Sequence, residues 1–136
     1  MRNRESLIRL HKFQVDEKRR KVAELEIMLG EFRQRERDLE AQVEEEQRKA
    51  GISDVGHFAY PMFAKSVIRR RENILESIEG IERQLETAKE ELAGAFRELK
   101  KYELLESSRR RKVRKEAMRV EQSELDEVAL TIHRRH

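Results

Sequence analysis

Few side chains in this sequence stand where they could do chemistry. Gly51 and Gly56 have the spacing of a phosphate-binding loop, but His57 and Phe58 follow where lysine and a hydroxyl residue are needed. His133 and His136 lie three apart, as two metal ligands on one helical turn would, yet no cysteine or carboxylate stands beside them to complete a set. Glu44, Glu45 and Glu46 could pair for general acid–base work only inside a pocket. These patterns read more simply as an ordinary turn, a solvated terminus and a solvated helix face. No catalytic, cofactor or metal site is expected.

Two clusters rise above that background. Phe58, Tyr60 and Phe63 place three of the seven aromatic residues within six positions, with Met62 beside them. They either plug the end of a helical structure or form an exposed anchor for a partner, since aromatics dominate interface energetics. The second cluster is basic: Arg109, Arg110, Arg111, Lys112, Arg114, Lys115 and Arg119. It could be a solvated face, a surface for an acidic protein, or a nucleic-acid contact. The last is weakest, because the aromatics that stack bases are missing there.

The elements carrying these clusters follow from composition. Of 136 residues, 43% are charged and 37% apolar, with a formal net charge of only +3. A globular domain holds about 25% charged and about 45–50% apolar residues, so a broad core is excluded. Five glycines and one proline leave little loop material, which argues against sheets. What remains is an all-α object that buries a narrow stripe. The absence of cysteine rules out disulfides, and the short apolar runs rule out membrane insertion. The opening residues lack the apolar core of a secretory signal, so a cytoplasmic location is expected.

Turn-formers concentrate between Gly51 and Pro61, which divides the chain into a helix over about 5–49 and another over about 62–132. In the first, Ile8, Val15, Val22, Leu29, Val43 and Ala50 recur at multiples of seven, with Glu36 interrupting; Leu25, Phe32 and Leu39 fill the companion position. In the second, Ile78, Leu85, Leu92 and Leu99 form one row, and Val67, Ile74, Ile81, Ala88, Ala95 and Tyr102 the other. A seven-residue repeat keeps one seam facing a partner helix. His11 falls on that seam and reads as structural. The expected fold is a single two-helix antiparallel coiled-coil hairpin with unequal arms, further supported by surface pairs Asp16–Arg20, Glu31–Arg35 and Glu79–Arg83.

At 1.5 Å per residue the arms would be ~68 Å and ~105 Å long. Turning near Gly56 sets Ile8 opposite Leu104 and leaves the second helix overhanging after about Glu106, where the seam meets Glu106 and Arg109. Charge changes at the same place. Residues 107–136 hold nine basic and five acidic residues, whereas residues 1–106 are almost balanced. Beyond the basic cluster, Met118, Leu125, Val128, Ala129 and Ile132 form an apolar stripe in a shifted phase. A lone helix with such a stripe is marginal in water and expects a partner.

The chain resembles the FliJ family, small coiled-coil components of the bacterial flagellar type III export apparatus. The resemblance rests on the run Leu10 to Arg20, the stretch Glu98 to Glu103 and the ending Glu121 to Glu127. It implies a non-enzymatic, monomeric hairpin shaped like the central stalk of rotary ATP synthases. Such a protein would insert both termini into the flagellar export ATPase hexamer, contact the export gate protein and escort export chaperones. It would be peripheral to the inner-membrane export apparatus and bind no nucleic acid. On this reading the ring-facing residues are Arg110, Arg111, Arg114, Lys115, Met118, Leu125, Val128 and Ile132, while Phe58, Tyr60 and Phe63 would serve another partner. The alternative is a generic coiled-coil scaffold that dimerises and tethers.

Overall fold

The computed structural model describes residues 2–52 and 60–135. They form two helices, α1 (Arg2–Ile52) and α2 (Tyr60–Arg135), and no strand occurs among them. Both helices outrun the expected spans by about one turn at most ends. Gly51 lies inside the last turn of α1 rather than beyond it, and Pro61 sits in the first turn of α2, where a missing amide hydrogen costs nothing. Ser53 and Asp54, whose side chains are of the kind that caps helices, lie outside the described residues.

The two helices pack against each other in two compact units. In the unit spanning Asp16–Gly94, the buried cluster comprises Leu25, Leu29, Ile78, Ile81, Leu85 and Ala88, with Val22, Phe32 and Ile74 packed against it. All belong to the heptad rows. Leu25, at 2% exposure, is the most thoroughly enclosed. Leu92 and Phe32 are only half-buried, because a seam between two helices has open flanks. Ion pairs cross the flanks in antiparallel order: Lys18 with Glu91 at 3.0 Å, Arg33 with Glu82 at 3.5 Å, and Glu40 with Arg71 at 2.7 Å. Exposed pairs of this kind contribute only about 0.2–1 kcal/mol each, so the apolar rows supply the stability and the pairs mark the register.

The surface pairs expected along α1 are redrawn, and Glu79 and Arg83 on α2 form no ion pair among the described residues. Asp16 meets Arg19 at 3.9 Å rather than Arg20, and Arg35 lies over the Phe32 ring at 4.6 Å rather than against Glu31. The half-buried ring offers a broader contact than one exposed carboxylate.

In the other unit the described part of α1 up to Val15 packs along α2 from Ala95 onward. Val15 and Leu99 are buried, and the His11 ring stacks on Tyr102 with centroids 4.7 Å apart. His11 is thus a seam residue, as its heptad position implies. Leu104 is not: it is 67% exposed, so it does not face Ile8. The seam row runs through Leu99 and Glu106, and Leu104 lies well round the helix from that line.

Candidate functional site

The segment that sequence reasoning singled out begins where the packing stops. Every residue from Arg110 to Arg135 is exposed, although the helix continues unbroken to Arg135. The cause is the layer just before it. Glu106 continues the Leu99 row into the interface and is 5% exposed, the one buried charged residue among those described. The expected break at Glu106 is therefore a last layer of the seam, and the free helix starts about one turn later.

A buried carboxylate needs donors; two arginines provide them and a third adds its charge. Arg109 donates to both Glu106 oxygens, Nη2 to Oε1 at 2.8 Å and Nε to Oε2 at 3.2 Å. Arg110 donates from Nε to Oε1 at 3.2 Å. From α1, Arg4 approaches Oε2 at 3.9 Å, and Glu5 meets Arg110 at 3.9 Å. The Arg109 hydrogen bonds, reinforced by the charges of Arg109 and Arg110, outweigh desolvation and hold the Glu106 carboxyl down at about 2. The same contact pushes Arg109 upward from its ordinary value. This layer ties the described start of α1 to α2 and closes the packed region.

The basic cluster thus divides. Arg109 and Arg110 are engaged by Glu106, and Arg119 donates to Glu116 with a shortest contact of 2.7 Å. Among the described residues, the side chains of Arg111, Lys112, Arg114 and Lys115 make no hydrogen bond or ion pair. Of the residues expected to face a partner, Arg110 is therefore part of the internal clamp, whereas Arg111, Arg114 and Lys115 are unengaged. The apolar members are all open to solvent: Met118 at 64%, Leu125 and Val128 at 56%, and Ile132 at 55%. Helical spacing brings these with Arg111 and Arg114 onto one face, cations first and apolar groups after.

Two features escaped the sequence reading. Glu106 looked like a seam-breaker; its neighbours Arg109 and Arg110, three and four residues on, were the signal that it could be buried. Val113 and Val120 continue the Leu99 row beyond Glu106 and stay exposed at 56% and 42%, so extending that row by sevens would have found them.

At the other end of α2, Phe63 is half-buried and Met62 is 72% exposed. Phe58 lies outside the described residues, and Tyr60 is placed only as the first residue of α2. The aromatic cluster therefore lies in part outside the described residues. No group of three or more potential metal ligands occurs among the described residues, and none of their helices is long and apolar enough to cross a membrane.

No curated protein and no solved structure matches the chain. The family model described as Flagellar FliJ protein matches residues 3–136, nearly the whole chain, including the free segment of α2. A helical pair of this kind, matched over that length, belongs to the FliJ family and is a flagellar export-related protein.

Proposed function

We propose that this protein is a non-enzymatic stalk of the flagellar export apparatus, whose free helical segment enters the export ATPase hexamer and stimulates it. The observation that carries this reading is the exposure of every residue from Arg110 to Arg135 on an unbroken helix. Leu125, Val128 and Ile132 gain stability by entering an apolar collar, at about 25 cal/mol per Å² of apolar surface removed from water. Arg111, Arg114 and Lys115, with no partners of their own, are available to an acidic rim. Such a contact speeds association and weakens with salt.

On the same reading the protein acts as a monomer at the cytoplasmic side of the inner membrane, contacts the export gate protein and escorts emptied export chaperones. Family membership supports those roles; Phe58, Tyr60 and Phe63 are our candidates for a contact away from the ring.

The test is deletion of residues 120–136. Residues 120–135 are all exposed, so the packed helices should stay folded by circular dichroism while stimulation of ATP hydrolysis by the purified hexamer is lost. A truncated protein that stimulates at full strength refutes insertion.

A further inference from the structure

The free segment carries a second heptad seam, distinct from the one buried between the helices. Arg111, Met118, Leu125 and Ile132 occupy one row, and Arg114, Glu121 and Val128 the companion row three residues on. All seven are exposed, and none of the three charged members makes an ion pair or hydrogen bond. Elsewhere on the segment Glu116 is paired with Arg119 and Asp126 with Gln122, while Lys112 and Lys115, off these two rows, are unpaired among the described residues. Charges left unmatched on the face that also bears the apolar stripe are what a docking seam requires.

A second copy of the chain does not fit this seam. Paired in parallel and in register, the apolar groups match, but Arg111, Arg114 and Glu121 each meet their own kind. In antiparallel pairings one row faces the other. The register that sets Arg111 against Glu121 leaves Met118 against Arg114 and Leu125 against Ser107. The one that sets Met118 against Val128 leaves Glu121 facing Leu125 and Arg114 facing Ile132. No register matches both charge and apolarity, and like charges at such positions are how helices reject wrong partners.

We infer that the seam is coded for a different protein, whose surface presents carboxylates to Arg111 and Arg114, a lysine or arginine to Glu121, and apolar side chains to Met118, Leu125, Val128 and Ile132. Glu121 is the specificity-determining residue of this code. A uniformly acidic rim would repel it, so the occupant must place a cation about two turns beyond its carboxylates. For its probe the inference rests on the proposed insertion into the export ATPase.

The experiment compares the full chain with Glu121→Lys, Glu121→Leu and Glu127→Lys. Glu127 is exposed and lies on the helix face away from the two rows, so its reversal controls for net charge. Affinity for the purified hexamer should fall about tenfold or more with Glu121→Lys, and much less with Glu127→Lys. Sedimentation equilibrium should find the unmodified chain monomeric. Glu121→Leu, which makes the stripe continuous from Met118 to Ile132, should tighten self-association about tenfold or more. Equal losses from the two reversals would overturn the inference, as would self-association of the unmodified chain. Failure of the unmodified chain to bind the hexamer would count against insertion, and the sedimentation result alone would then decide the code.

Discussion

Gly30 and Gly80 lie inside long helices where the backbone asks nothing special of them. No residue in the described chain has a positive φ, and a Cβ built at either position meets no atom within 4 Å. A glycine in a helix interior costs about 1 kcal/mol relative to alanine, through the entropy its unfolded chain loses. Since nothing must move to admit the methyl group, that gain should be realised in full. Gly30→Ala and Gly80→Ala should each stabilise the protein by about 1 kcal/mol, and the double variant by about 2. For a chain of this size each kilocalorie raises Tm by about 3–6 °C. Urea unfolding followed at 222 nm gives the free energy directly: the midpoint should rise with an unchanged m-value. A fall in midpoint at either position would refute the reasoning, because it would mean the new methyl group meets a close contact. A changed m-value would place the effect in the denatured state.

Two further tests concern the packed seam. Leu85→Ala should cost about 2–3 kcal/mol by urea unfolding, at the low end of core truncations because a seam between two helices has open flanks. A loss under 1 kcal/mol would remove Leu85 from the stabilising row. Glu106→Gln should lower Tm at neutral pH, since a neutral amide cannot accept the bidentate arginine bonds as strongly. The Glu106 carboxyl titrates near 2 when folded against 4.5 ordinarily, so its contribution is complete above pH 4.5 and lost as pH falls toward 2. The Tm gap between the two proteins should narrow across that interval; a gap constant with pH would show that the clamp does not operate.

The architecture was legible because its cause is one-dimensional. Val15 and Leu29, Leu25 and Leu39, Val67, Ile81 and Ala88, and Ile78, Leu85 and Leu99 form rows spaced at multiples of seven, and all are buried. Leu104 was misread because its place opposite Ile8 was counted along the chain from the turn and not by angle round the helix; it belongs to the row of Arg111 and Met118. Glu106 was misread for a different reason. A carboxylate in an apolar row signals a break unless its cationic partners are counted too, and those come from both helices. The exposed stripe of Leu125, Val128 and Ile132 was visible from its shifted phase. The division of the basic cluster into engaged and free arginines was not, because it depends on which carboxylate lies within reach in three dimensions.

The isolation of residues 111–135 has a consequence for how tightly they can be held. Their helix rests on its own backbone bonds and a few local contacts: Arg119 with Glu116, Gln122 with Asp126, and the Thr131 hydroxyl donating to the Glu127 carbonyl. Such a helix exchanges with coil, and only its ordered fraction presents the stripe in register. Apparent affinity is the intrinsic affinity scaled by that fraction. Side chains on the far side, touching no partner at all, therefore tune binding by setting how often the helix is formed. Glu116 and Arg119 are as much determinants of occupancy as Leu125, though they act through helix–coil equilibrium and not through contact.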